Sequence, residues 1–316
     1  MALNSFLENE SLIRDIAVAS TQRAAEACFK HIGRLDETAA DRAAVDAMRR
    51  YLNHSAILGR VVIGEGERDK APMLYCGEAL GTGNIEVDIA VDPLEGTTIC
   101  AEGGNGALSV IVMGQVGSLL EAPDVYMEKI AVGIPCQVDL RNPVEENIKI
   151  LAKAKGCHVS DISIAVLKRP RHTKLIENIS LAGAKVLLIS DGDVAAVIST
   201  RLLSSDNNAP DMYIGIGGAP EGVIAAAALR CIGGKMQGRL LVDNEAESHK
   251  GDVLEIGDMV KSGAVVAMTG VTSGNILKGV KLVKNFETQY LVFNTMVFGP
   301  NVGTYNKITS CMPQGI

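Results

Sequence analysis

Along Val87–Val91, β-branched apolar residues occupy every second position and alternate with an acidic residue and a small one. This period of two predicts a strand with one packed face. Pro93 has no backbone N–H to donate, so we expect the strand to stop at Asp92 and the chain to turn through Gly96. The pattern therefore predicts a strand that ends in an acidic, glycine-containing turn.

The same periodicities predict elements along the whole chain. Helical spacing predicts helices at Ser11–Ile32, Thr38–Asn53, Pro72–Leu80, Val144–Lys155, Thr173–Ala182, Val194–Leu202 and Glu221–Cys231. Short β-branched runs predict strands at Arg60–Ile63, Ala107–Met113, Ile162–Leu167, Lys185–Ile189, Met212–Ile216, Ala264–Thr269 and Leu291–Phe298. In the second half of the chain, strands and helices alternate in a βαβ rhythm, which is typical of an α/β layered fold.

A proline-bracketed irregular stretch at Gly133–Asn142 suggests a boundary between two domains. We expect an N-terminal α/β domain over residues 1–134 and a C-terminal α/β domain over residues 135–316. A polar stretch at Asn244–Gly251 is expected to form a surface loop.

Composition narrows the class of protein. The 316 residues are 47% hydrophobic and 21% charged, which is typical of a globular protein. The net charge of −7 and an aromatic content of only 3% argue against a nucleic-acid partner. No export signal and no apolar run of the roughly 18 residues that span a bilayer is found, so we expect a cytoplasmic protein without a membrane partner. Seven cysteines, none in C-x-x-C spacing, suggest a buried and reduced set.

The turn after the central strand offers hard oxygen ligands. Asp92 and Glu95 lie three residues apart, and Gly96, Thr97 and Thr98 follow them. Carboxylates and a backbone carbonyl suit a divalent cation, and the amide groups beyond Gly96 suit an anion. An ordinary Asp-Pro turn that leads into a helix is the alternative interpretation.

Three other acidic residues are candidate ligands, each with a structural alternative. Asp41 follows Thr38 in a T-x-x-D pattern that can also be a capping box. Glu65 lies between glycines at a strand end, where an exposed loop charge is also common. Glu221 opens a helix after a glycine loop, where it can bind a metal or oppose the helix dipole.

Further polar residues follow strands of the predicted second domain. The basic run Lys168–His172 can clamp a phosphate with guanidinium donors or remain solvated. Asp191 and Asp193 can cap a helix or hold sugar hydroxyls, and Tyr126 offers a phenol. Open α/β sheets bind ligands at the carboxyl ends of their strands. This shared position favours a single substrate site.

Several motifs, in order along most of the chain, resemble class II fructose-1,6-bisphosphatase, a lithium-sensitive, metal-dependent sugar phosphatase. The residues that carry the resemblance are Ile63–Glu67, Ala71–Tyr75, Asp92–Thr98, Ala122–Lys129, Arg169–His172, Asp191–Ala196 and Ile214–Gly222. The resemblance implies a layered α-β-α-β-α fold with two closely packed domains. It also implies hydrolysis of the 1-phosphate of fructose 1,6-bisphosphate to fructose 6-phosphate, as in gluconeogenesis.

The same resemblance implies roles for individual residues. Two or more Mg²⁺ or Mn²⁺ ions would be held by Asp41, Glu65, Asp92, Glu95 and Glu221. Glu95, Gly96 and Thr97 would surround the scissile phosphate, and Thr97, Glu65 and Asp92 would serve catalysis by a metal-activated water. The sugar and the distal phosphate would be held by Tyr126, Arg169, Arg171, Asp191, Asp193 and Gly218. A homo-oligomer, dimer or tetramer, is expected.

The chain departs from the family pattern at two places. Leu35-Asp36-Glu37 replaces the family's Gly-Asp-Lys, so a basic contact becomes acidic. The segment Leu241–Asp252 is shorter than in the family. Sedoheptulose 1,7-bisphosphate, another sugar or inositol phosphate, and a non-catalytic sugar-phosphate sensor stay open as alternatives.

Overall fold

The computed structural model describes residues 6–65, 73–202, 209–241, 251–284 and 288–314. The chain divides into two compact units, Met1–Glu121 with Ser262–Ile316 and Ala122–Lys261. The predicted loop at Asn244–Gly251 lies, except for its last residue, outside the described residues. Within the described part of the chain, no helix combines the length and the apolar character that a membrane span requires.

The first unit places helices on a mixed sheet. Its helices are α1 (Glu10–Phe29), α2 (Glu37–Leu52) and α3 (Thr97–Glu102). Its strands are β1 (Ile57–Ile63), β2 (Ala79–Leu80), β3 (Ile85–Glu95), β4 (Leu108–Gly114), β11 (Ala264–Gly270), β12 (Lys281–Lys284), β13 (Gln289–Phe298) and β14 (Tyr305–Gln314). The strand order is β12-β13-β11-β4-β3-β1-β2, and β14 pairs with β13. Every residue of β4 and β11 is buried, as expected for central strands.

The second unit also combines a mixed sheet with helices. Its helices are α4 (Val144–Lys155), α5 (Thr173–Leu181), α6 (Asp193–Ser199), α7 (Ala219–Ile232) and α8 (Ile256–Met259). Its strands are β5 (Tyr126–Val132), β6 (Ser163–Leu167), β7 (Lys185–Ile189), β8 (Met212–Gly218), β9 (Lys235–Leu241) and β10 (Leu254–Glu255), in the order β10-β9-β5-β8-β6-β7. Two mixed sheets with packed helices confirm the predicted α/β class.

Two expectations about single elements are wrong. The strand does not stop before Pro93: β3 continues to Glu95. Its pairing with β4 is irregular there, since the four residues Asp92–Glu95 lie opposite only three residues of β4. A proline is accommodated at such a bulge because its missing N–H has no ladder partner there. The helix expected at Pro72–Leu80 is also absent from its described residues, 73–80. Gly77 has a φ of +95° there, the Glu78 carboxylate accepts the Leu74 N–H, and the chain turns into β2.

The compact units divide the chain differently from the expected domains. The second unit begins at Ala122 rather than at residue 135, because β5 pairs with β8 and β9 of the second sheet. The chain from Ser262 onward returns to the first unit, because β11 pairs with β4.

The cysteine expectation holds in part: Cys28, Cys100, Cys136 and Cys231 are buried free thiols, whereas Cys76 and Cys311 are exposed.

Candidate active site

Glu65 follows β1, and Asp92 lies near the carboxyl end of its parallel neighbour β3. The register of β1 and β3 pairs Ile63 with Ala90. Glu65 lies two residues beyond Ile63, and Asp92 lies two residues beyond Ala90. Because the two strands run in the same direction, this register brings Glu65 and Asp92 to the same edge of the first sheet. Glu67, the neighbouring acid of the motif, lies outside the described residues.

The bulge in β3 determines how the next residues are presented. The Asp92 carboxylate accepts the Leu94 N–H at 3.2 Å, which tightens the turn around Pro93. Glu95 is buried, and Gly96 adopts the left-handed conformation with φ +83° before α3 begins at Thr97. A Cβ at Gly96 would also lie 3.2 Å from the Ile99 side chain. Glycine therefore allows the abrupt change from strand to helix that exposes Thr97.

Asp41 does not cap its helix. The cap of α2 is Asp36, whose carboxylate accepts the Ala39 N–H at 2.9 Å. Asp41 lies one turn further along α2, half-buried, and burial raises the pKa of its carboxyl above the ordinary value. The capping-box alternative for Asp41 is therefore wrong. Glu37, which stands where the family has a lysine, is the first residue of this helix.

The predicted substrate residues of the second unit share one edge of its sheet. β6, β7 and β8 are parallel, and Arg169, Asp191 and Glu221 follow their carboxyl ends in that order. Tyr126 begins the antiparallel strand β5 directly opposite Gly218. This is the edge at which open α/β sheets bind ligands.

The basic loop after β6 is fastened to β8 by its own side chains. Arg171 donates two hydrogen bonds to the Ile216 carbonyl, at 3.1 and 2.8 Å, and its guanidinium lies 4.7 Å from the centre of the Tyr126 ring. His172 accepts the Ile216 N–H at 2.8 Å and bonds the Leu167 carbonyl at 2.7 Å. Arg169 donates to the Ser190 carbonyl at 2.6 Å. The loop therefore presents cationic groups in a fixed position.

His172 is a residue that the sequence alone did not single out. It is buried, and burial lowers the pKa of its imidazole. Nδ1 donates to the Leu167 carbonyl, and Nε2 accepts the Ile216 N–H. Because one ring nitrogen donates and the other accepts, the imidazole is neutral and carries its proton on Nδ1.

Lys129 was likewise missed as a functional residue, although it lies in a quoted motif. Its side chain is 1% exposed and its Nζ donates to Asp193 Oδ2 at 2.6 Å. The Tyr213 hydroxyl donates to the same oxygen at 3.2 Å. No local pattern marks Lys129 as buried, because a lysine in a strand that mixes charged and apolar residues is ordinarily expected to face solvent. Direct contact of Asp193 with the sugar stays a prediction.

Glu221, in the first turn of α7, carries a carboxylate with one buried oxygen. Its Oε2 is buried and makes no hydrogen bond among the described residues. Burial raises the pKa of its carboxyl, Lys129 opposes that rise, and Asp193 adds to it. A buried carboxylate oxygen without a partner is costly unless a cation or a donor satisfies it. A carboxylate oxygen in this position suits a hard divalent cation, of which Mg²⁺ and Mn²⁺ are examples.

No three of the described His, Cys, Asp and Glu side chains are arranged as a metal cage. Asp41, Glu65, Asp92 and Glu95 belong to the first unit, whereas Glu221 belongs to the second. The composition of the ligand set therefore stays a prediction.

Comparison with known proteins gives consistent results. Residues 12–312 match the family described as bacterial fructose-1,6-bisphosphatase, glpX-encoded. The chain is 43% identical to fructose-1,6-bisphosphatase 1 class 2 of Escherichia coli K12, in an alignment that covers 85% of this chain and 86% of that protein. It is 40% identical to the D-fructose 1,6-bisphosphatase class 2/sedoheptulose 1,7-bisphosphatase of Synechococcus elongatus, in an alignment that covers 87% of this chain and 90% of that protein.

Among solved structures, the extragenic suppressor protein suhB of Bartonella henselae aligns with a TM-score of 0.36 and 15% identity. That alignment covers 69% of this chain and 83% of the suhB chain. The match of the family to nearly the whole sequence, together with relatives at 40–43% identity, establishes the relationship. This chain belongs to the glpX-encoded family of bacterial fructose-1,6-bisphosphatases.

Proposed function

We propose that this chain hydrolyses the 1-phosphate of fructose 1,6-bisphosphate in a metal-dependent reaction and releases fructose 6-phosphate and inorganic phosphate. Membership of the family supports the activity. The observation that supports the chemistry is the register of β1 and β3, which brings Glu65 and Asp92 to one sheet edge. The β3 bulge ends there at Glu95, and Thr97 begins α3 two residues later. These are oxygen ligands and a hydroxyl at one edge of a sheet.

The metal ions would be bound by acidic residues of this chain. Asp92, Glu95 and Glu65 would hold the ions, and Asp41 and Glu221 are further proposed ligands. Bound Mg²⁺ or Mn²⁺ would supply charge neutralisation at the phosphate and a lower pKa for the attacking water.

Thr97 would orient the attacking water by hydrogen bonding. As the new oxygen–phosphorus bond forms in line, the bond from phosphorus to the sugar's C1 oxygen breaks, and that oxygen takes up a proton.

Recognition of the sugar would use the second unit. Arg169 and Arg171 can donate to a second phosphate, because forked guanidinium donors match its oxygens. Tyr126 lies against Arg171 and supports its orientation. Asp191, Asp193 and Gly218 are the remaining proposed contacts to the sugar. Placement in the cytoplasm, the choice between Mg²⁺ and Mn²⁺, and a homo-oligomer stay predictions.

A phosphate-release assay over a substrate panel tests the proposal. With Mn²⁺ or Mg²⁺ present, we expect kcat/KM for fructose 1,6-bisphosphate to exceed that for fructose 6-phosphate and inositol 1-phosphate at least tenfold. Release from inositol 1-phosphate at the same or higher efficiency would contradict the substrate assignment. Absence of release from every compound would instead favour the sugar-phosphate sensor.

Sedoheptulose 1,7-bisphosphate is the second candidate substrate. The relative from Synechococcus elongatus carries both activities in its name. Both sugars present a phosphate on a primary C1 oxygen at one end and a second phosphate at the other. A comparison of kcat/KM for the two bisphosphates on the same preparation decides between one substrate and two.

A further inference from the structure

A cleft of about 680 Å³ runs along helices α1 and α2 of the first unit. It contains none of the residues predicted to bind metal or substrate. Its size falls within the range of small-molecule sites, roughly 300–1,000 Å³. The cleft is therefore a separate feature that the proposed activity does not use.

The cleft is lined by a surplus of basic side chains. Arg23, Lys30 and Arg50 carry permanent charges, and the imidazoles of His31 and His54 are also in the lining. This concentration occurs in a chain with a net charge of −7. A local patch of positive charge on an acidic protein attracts anions selectively to that surface.

One carboxylate in the lining balances only part of this charge. Glu26 pairs with Arg23, with 2.9 Å between Oε2 and Nη1. No described carboxylate lies within ion-pair distance of Lys30 or Arg50, and both side chains are exposed to solvent. Their donors are therefore available to an external ligand.

Apolar groups form the rest of the cleft. Tyr51 and Phe29 contribute aromatic surface, Ala27 and Ala47 contribute methyl groups, and Leu291 of β13 adds an aliphatic side chain. A pocket that combines cationic side chains with an apolar wall suits an organic anion better than a hydrated inorganic ion.

We propose that this cleft binds a small organic phosphate. A phosphate monoester carries nearly two negative charges and three acceptor oxygens, which match two or three cationic donors better than a single carboxylate does. The organic part would lie against Tyr51 and Leu291 while the phosphate contacts Lys30 and Arg50.

Phenyl phosphate serves as the probe, and benzoate serves as the matched carboxylate. Binding is followed through the rise in melting temperature, without added divalent metal and with sodium chloride adjusted to constant ionic strength. The reference chain is Arg169→Ala, so that the proposed distal-phosphate residue does not contribute. Two double variants are compared in this reference chain. The first combines Lys30→Ala with Arg50→Ala. The control combines Lys153→Ala with Lys174→Ala, which removes two cations from exposed helix positions of the second unit.

We expect the Lys30/Arg50 pair of substitutions to raise the phenyl phosphate concentration needed for half the stabilisation by roughly tenfold or more. The control pair should leave it unchanged, and benzoate should bind more weakly than phenyl phosphate to the reference chain. If both double variants reach half the stabilisation at the same phenyl phosphate concentration, the proposed site is wrong. Benzoate that binds as tightly as phenyl phosphate would overturn the assignment to phosphates.

Discussion

Thr97 is the first residue of α3 and directly follows the left-handed Gly96. Its side chain is partly exposed, so its hydroxyl can reach a reacting water without a cost in packing. We expect Thr97→Ala to leave the melting temperature nearly unchanged and to lower kcat for fructose 1,6-bisphosphate by roughly 10²-fold. Thr98→Ala is the matched control one position further along the helix. Near-normal turnover by Thr97→Ala would reject the role.

The ion pair of Lys129 and Asp193 makes a prediction about stability. Both side chains are buried, so removing Lys129 alone leaves Asp193 charged without its partner. We expect Lys129→Met to lower the free energy of unfolding by about 3 kcal/mol in urea titrations. Adding Asp193→Asn should recover part of this loss, because the buried charge is then also removed. A double variant that is destabilised by the sum of the two single effects would show that the pair is not coupled.

His172 predicts how stability depends on pH. Burial lowers the pKa of its imidazole below the ordinary 6.5, so the folded chain binds fewer protons at this position than the unfolded chain. Its contribution to stability is therefore complete above about pH 6.5 and declines as the pH falls below that value.

His172→Gln cannot titrate and should be about 1–2 kcal/mol less stable at pH 7.5, because the contacts to Leu167 and Ile216 are weakened. Urea unfolding at pH 7.5 and 5.5 measures both effects. The loss of stability between these two values should be smaller in the variant than in the wild-type chain. An equal loss in both chains would contradict the assignment.

At the residue scale, sequence motifs predicted positions well but contacts less well. The strand-end positions of Glu65, Arg169, Asp191 and Glu221 follow from local pattern, because a strand and its terminal loop are adjacent in sequence. The pairing of Lys129 with Asp193 joins residues 64 positions apart in the chain. Single-sequence periodicity carries no information about contacts at such separations.

Among the elements, the junction of β8 and α7 carries the sharpest test. Gly218 has a φ of −64°, which any residue adopts, but a Cβ there would lie 1.9 Å from Glu221 Oε2. We expect Gly218→Ala to retain the fold, to displace the Glu221 carboxylate, and to lower kcat/KM at least tenfold. Gly257→Ala is the control, because a Cβ at that glycine meets no atom within 4 Å. Unchanged kinetics in Gly218→Ala would show that the position of Glu221 does not matter for turnover.

Elements with strong local periodicity were predicted closely, and those that depend on partners were not. Val144–Lys155 and Lys185–Ile189 have the predicted bounds. The strands β5, β9, β12 and β14 were not predicted, because their sequences mix polar or charged residues with apolar ones. Pro93 lies inside a strand because the bulge opposite β4 accommodates it, and that geometry depends on tertiary pairing.

At the scale of the whole molecule, the α/β class could be predicted but the path of the chain could not. The βαβ rhythm implies parallel strands, and β6, β7 and β8 are indeed parallel. The return of the last 55 residues, Ser262–Ile316, to the first unit depends on the pairing of β11 with β4. That pairing connects strands about 150 residues apart, beyond any local pattern.

The most direct test of the central claim measures phosphate release from fructose 1,6-bisphosphate before chelation, in excess chelator, and after Mn²⁺ or Mg²⁺ is restored. The account predicts that release stops in chelator and returns with the metal, because the carboxylates act through divalent ions. It also predicts that Asp92→Asn lowers the restored rate by roughly 10²-fold. Full release in excess chelator, or a wild-type rate from Asp92→Asn, would contradict the account.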